Sequence, residues 1–141
     1  MANTQAISGA MKQAALGAVV DGKTLKAALY LASATTNGTN TVYTSTGELS
    51  ATGNYTAGGA SVTNANSAGL TSTTAYWTPS AAISWSNLTS SGAFDAVMIY
   101  STTDTNRNLG VFTFGSQSIT AGTLTLNMPT NDASTGLIRF A

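Results

Sequence analysis

The sequence predicts a mainly β fold, a single β-sandwich or jelly-roll-like domain with a short N-terminal helix. Three observations predict it. Apolar residues fall in runs of strand length, several of them alternating with period two. Turn-forming Gly, Asn, Asp, Ser and Thr separate those runs. The length of 141 residues suits one domain, and a chain of that size buries roughly 70% of its extended surface.

Residues 1–17 read as the helix. Asn3 or Thr4 supplies a cap, and Ile7, Met11, Ala14 and Ala18 share one face at helical spacing. Leu16 lies opposite that stripe, and Gly17 ends the helix. The expected organisation is a helical segment at 1–20 followed by a β-sandwich domain at 21–141. Leu25, Ala27, Leu29 and Leu31 then alternate with Lys26, Ala28 and Tyr30, as in a half-buried strand.

A polar tract follows at 34–68. Asn37-Gly38 marks a turn within it, and Gly58-Gly59 precedes a short strand at 60–63. The tract is long for a plain loop, so it should contain its own hairpin or contact a partner. Further strands are read at 73–78, 82–85, 93–101, 109–114, 122–128 and 136–140. In 93–101, Phe94, Ala96, Met98 and Tyr100 share one face, and Asp95, Val97 and Ile99 share the other. Both faces are largely apolar, which predicts a central strand. In 109–114, Leu109 falls with Val111, and Phe112 falls with Phe114 on the opposite face.

Composition bounds the function. Ala, Gly, Ser and Thr make up 78 of the 141 residues, whereas Leu, Ile, Val and Phe make up only 26. So low an apolar share suggests disorder in a highly charged chain, but here the net charge is zero and the apolar residues are grouped. Small side chains remove little area from water, which makes burial against other subunits or a host assembly the default expectation. The absence of Cys and His argues against zinc, iron–sulfur and Cys- or His-dependent chemistry. Five scattered Lys and Arg give neither a nucleic-acid footprint nor a membrane-binding stripe. No run approaches the roughly 20 apolar residues of a membrane span. Lys12-Gln13 interrupts any signal-peptide core. A soluble chain, or part of a soluble assembly, is expected.

Candidate chemistry is sparse. Glu48, Asp95, Asp104 and Asp132 could supply an acid–base pair of the kind glycosidases use. Their settings read instead as turns for Asp104 and Asp132, and as a local hydrogen-bond acceptor for Glu48. No carboxylate spacing fits a calcium loop. Tyr76, Trp77 and Trp85 could form a sugar-stacking platform on adjacent strands joined across Pro79, although packing is the ordinary role of such rings. The sequons at Asn37, Asn54 and Asn87 are expected by chance in a chain so rich in Asn and Thr. Gly58-Gly59 lacks the Lys and helix of a phosphate loop. No catalytic, metal or cofactor residue is assigned, and no enzyme activity is expected.

Several segments together resemble a family of small tailed-bacteriophage virion proteins. They are the N-terminal helix, Leu25-Lys26-Ala27-Ala28-Leu29-Tyr30, Tyr43 with Gly47-Glu48-Leu49-Ser50, and Gly53-Asn54-Tyr55-Thr56-Ala57-Gly58-Gly59. The series continues with Phe94-Asp95-Ala96-Val97-Met98-Ile99-Tyr100, Leu109-Gly110-Val111-Phe112-Thr113-Phe114-Gly115, and a tail from Asn131 to Phe140. The resemblance implies a capsid-decorating cement protein on the virion surface, made in the host cytoplasm. Its implied partners are the major capsid protein and copies of itself, as a homotrimer at threefold or quasi-threefold positions. The helix and the tract after Ala34 are the expected contact regions. The chain departs from the family in extra polar sequence at 61–74, expected to be a subunit-specific loop. The alternative is a tail, neck or fibre component, with receptor or glycan binding through Trp77 and Trp85.

Overall fold

The computed structural model describes residues 2–141 and is mainly β, with one short helix. The helix, α1, spans Gly9–Val20. The strands are β1 Leu25–Leu31, β2 Ala60–Val62, β3 Gly69–Thr71, β4 Thr74–Trp77 and β5 Ile83–Leu88. They continue as β6 Phe94–Ser101, β7 Arg107–Gln117, β8 Gly122–Leu126 and β9 Ile138–Phe140. They form three antiparallel sheets, ordered β2-β1-β6-β7, β3-β4-β9 and β5-β8.

The helix differs from its expected form. It starts at Gly9 and runs past Gly17 to Val20, and Ser8, not Asn3 or Thr4, stands at its N-cap. Of the expected helical stretch, residue 1 lies outside the described residues. The buried face is Gly9, Leu16 and Val20, while Ile7 and Met11 are 59% and 57% exposed. Close approach to the β3–β4 hairpin explains the choice. A Cβ at Gly9 would stand 2.8 Å from the carbonyl oxygen of Ser72, so glycine lets the two backbones meet there.

The main core lies on one face of the four-stranded sheet. Leu25, Ala27 and Leu29 of β1 pair with Ser101, Ile99 and Val97 of β6, and this face packs on α1 and the two smaller sheets. Trp77, Leu16, Leu88 and Phe94 are almost wholly enclosed there. β1 is buried on both faces, not half-buried. Two bulges revise the expected parity. A register shift at Tyr30/Leu31 pairs Leu31 with Phe94 and turns Phe94 into the main core, away from Ala96, Met98 and Tyr100. Another, at Ile99/Tyr100, sends Leu109 to the core with Phe112 and Phe114 and leaves Val111 on the opposite face.

The polar tract contains no hairpin of its own. Its only regular strand is β2, and residues 47–49 lie along the edge of β1 that β2 leaves open. There the Leu31 N–H donates to the Gly47 carbonyl and the Leu49 N–H to the Leu29 carbonyl, each at 2.9 Å. The segment 61–74 is not a free loop either. It holds the end of β2 and all of β3, and Asn64 donates to the carbonyls of Val20 and Lys23.

Candidate functional site

Chemistry-bearing side chains gather on the second face of the large sheet. Ala28, Tyr30, Ala96, Met98 and Tyr100 point there, and residues of the polar tract cover them. The two alanines leave room above the sheet, so the tract settles close against it. Gly59 makes the approach possible. It has φ +79°, and a Cβ there would collide with the Ala27 carbonyl.

Glu48 is the centre of this layer. Its carboxylate is buried and accepts three hydrogen bonds: from the Tyr43 hydroxyl at 2.5 Å, the Tyr55 hydroxyl at 2.7 Å and the Gly58 N–H at 2.7 Å. Two further hydroxyls tie the tract down. Tyr30 donates to the Thr44 carbonyl at 2.6 Å, and Tyr100 to the Gly58 carbonyl at 2.8 Å. Tyr43 stacks on Tyr100 with centroids 4.7 Å apart. The Tyr55 hydroxyl also accepts the Leu29 N–H, which joins the knot to β1.

Electrostatics follow from that geometry. Burial pushes the phenol groups of Tyr30, Tyr43, Tyr55 and Tyr100 above the ordinary tyrosine range, and the Glu48 carboxylate raises all four further. Tyr43 and Tyr55 must keep their protons to donate to Glu48, so the carboxylate and the neutral phenols stabilise one another. This arrangement is a lock. It fixes an otherwise loop-like tract as a rigid polar cover. A groove of about 470 Å³ lies along the first part of the tract, lined in part by Ser33, Thr35, Thr36, Thr44 and Thr46.

The other expected site residues are dispersed. Asp104 pairs with Lys23 at 3.0 Å in the β6–β7 turn. Asp132 accepts the N–H groups of Thr135 and Ser134, which hold its carboxyl below the usual range. Asp95 stands at the register shift in β6. The acid–base pair is not assembled: Glu48 is enclosed by its tyrosines, and each of the other three has its own setting. Among the described residues, no group of three His, Cys, Asp or Glu could hold a metal ion.

The aromatic platform is not formed. Trp77 belongs to β4 and Trp85 to β5, which lie in different sheets, and they are 0% and 6% exposed. Trp77 donates its indole N–H to Asn64 and packs in the core, and the Trp85 indole N–H is buried without a partner. Tyr76 crosses Gly69, where a Cβ would collide with its ring. Asn54 and Asn87, two of the sequon residues, occupy left-handed backbone positions at φ 68° and 51°. Asn37 closes a turn with Asn40.

Sequence reasoning missed the tyrosine knot and a second feature. An apolar cleft of about 240 Å³ opens between the core face of the large sheet and β8, lined in part by Phe112, Phe114, Leu126, Met128 and Leu137. The signal in the sequence is weak: Tyr43 and Tyr55 flank Glu48 by five and seven residues, in a tract with no sustained strand or helix period. No helix is long and apolar enough to cross a membrane among the described residues.

Fold and site together define a mainly β domain of three antiparallel sheets, with a polar strap cross-linked by a buried carboxylate and tied to one face by tyrosine hydroxyls. No family model, curated protein or solved structure matches the chain.

Proposed function

We propose that this protein is a virion structural protein that binds a tailed-phage capsid shell and stabilises it as a decoration protein, without enzymatic activity. Its partners in this reading are the major capsid protein and two further copies of itself, on the capsid surface after synthesis in the host cytoplasm. The observation that carries the reading is the locked polar cover. Shell binding needs a broad contact surface that is already ordered, because ordering side chains and loops at an interface costs about 0.5–1.5 kcal/mol for each rotamer-rich group. Short Ser, Thr and Asn side chains carry little rotamer freedom to lose, and the Glu48 knot holds their backbone in place beforehand. With five cations and five anions in the whole chain, such contact depends little on salt.

The contact regions can now be drawn more narrowly. Leu16 faces inward, so removing residues 1–17 would empty part of the core and test folding. In this reading the exposed residues 2–8 and the tract over the Glu48 knot are what meets other chains. The test is occupancy on purified shells. Hundreds of copies per particle, retained at high salt, support decoration. About a dozen or fewer copies assign the chain to the neck or tail instead, and no binding to shells rejects the reading.

A further inference from the structure

β7 is the last strand of the four-stranded sheet, and most of its outer edge is open. The tract closes only the start of that edge: Val42 bridges Arg107, and the Asn108 N–H donates to the Thr41 carbonyl at 3.0 Å. From 109 to 117 there is no outer backbone partner among the described residues. Open edges of this length are usually guarded by a Lys, a Pro, a charge facing inward or a bulge, and of these β7 carries only bulges, at its register shifts against β6. Residues 109–117 contain no charged residue and no Pro. Beside this edge lies the apolar cleft of about 240 Å³, with Phe112 and Phe114 in its wall.

A second segment lacks partners in a complementary way. Residues 2–8 are all exposed, and residues 2–7 make no hydrogen bond to their own fold among the described residues. Ser8, where the segment enters α1, has extended backbone at φ −60° and ψ 135°. The segment has no Gly, Pro or charge, and Ile7, its one large apolar side chain, is 59% exposed. Seven extended residues reach about 24 Å, against roughly 30 Å for the nine open residues of β7. Neither segment carries charge that would repel the other.

We propose that residues 2–8 of one copy add as a strand to the open edge of β7 in a second copy, with Ile7 covering the apolar cleft. Backbone N–H and C=O groups provide the affinity, and the cleft sets the register. The contact joins two different patches: repeated head to tail it closes into a ring of three or more subunits, and exchanged reciprocally it makes a two-fold dimer. The proposal deepens the decoration reading by assigning the surface through which copies assemble. It rests on that reading only for the number three.

The test is made in solution without shells, so that assembly and shell binding fail separately. Sedimentation equilibrium of the full chain should give a mass of at least twice the 14.2 kDa of one chain, and three times it where the ring of the decoration reading forms. Deleting residues 2–7 should reduce the mass to one chain. Thr113→Lys, an exposed position on the open edge, should do the same. Both variants should keep the wild-type circular dichroism, because neither alters the core, and should melt where the wild type melts once diluted to single chains. A single-chain mass for the full protein overturns the proposal. So does an assembly that survives the deletion; if Thr113→Lys dissolves that assembly, the occupant is a second β7 in place of the N-terminal segment.

Discussion

The two faces of the large sheet are held by different physics. On one face, Leu29, Phe94, Val97 and Ile99 join Trp77, Leu16 and Leu88 in a core of large apolar side chains. On the other, alternate residues of the same strands are Ala28, Ala96, Tyr30 and Tyr100, and a polar tract, cross-linked within itself by hydrogen bonds to Glu48, is fastened over them by the Tyr30 and Tyr100 hydroxyls. The first face gains stability from area removed from water, which is insensitive to protonation. The second depends on hydroxyl groups that must stay protonated around a carboxylate. In a chain so poor in large apolar residues, one well-packed face supplies the core, and the other can be given over to a rigid surface.

Removing Trp77 should have the largest effect. Trp77→Ala deletes a fully enclosed indole and its hydrogen bond to Asn64, so the expected loss is about 3–5 kcal/mol. Chemical denaturation at neutral pH measures it. A loss under about 1 kcal/mol would mean that the smaller sheets do not form one core with the large sheet. Glu48→Gln comes next, at roughly 2–3 kcal/mol. The amide keeps the shape but loses the charge-assisted hydrogen bonds, and its NH₂ group meets at least one hydroxyl or N–H donor where the carboxylate had an acceptor. Proteolysis separates the two variants further. Glu48→Gln should expose the tract at 34–59 to cleavage while the remainder stays folded, and equal protection in wild type and variant would argue against the lock.

The contrast between the faces also explains what the sequence could reveal. Fold class, the central position of β6 and most strand positions follow from apolar runs and turn residues. The β3 strand does not, because it spans three residues without alternation. Its hairpin turns through Ser72-Thr73, with Ser72 at φ 55°, where Gly, Asn or Asp is the usual signal. The sides taken by Phe94 and Leu109 were illegible because bulges break the period-two rule, and a bulge leaves no compositional mark. The buried helix face is hidden from the sequence because apolar residues surround the axis of α1 and the deciding contact is backbone against backbone at Gly9. The Glu48 knot was hidden for a similar reason. Its members come from β1, β6 and an irregular tract, and only the fold brings them together.

Alkaline pH gives the finest discrimination between the two faces. In the folded protein the phenols of Tyr30, Tyr43, Tyr55 and Tyr100 titrate above their ordinary value, first through burial and then through Glu48. In the unfolded chain they titrate near pH 10. Above that pH the unfolded state binds fewer protons than the folded state, so stability falls as pH rises. The contribution is fully present below about pH 10 and is lost progressively until the folded-state phenols ionise. Melting temperature should therefore be flat from neutral pH to about pH 9.5 and then decline, by only a few degrees near its onset. Trp77→Ala should run parallel to wild type through this window, since its deficit carries no proton. Glu48→Gln should begin its decline with the same slope but level off at a lower pH, because removing the carboxylate removes one of the two causes that raise the phenols and they then ionise sooner in the folded state. Levelling at the same pH in wild type and Glu48→Gln would show that burial alone holds the tyrosines neutral, and the carboxylate would then be a passenger in the knot.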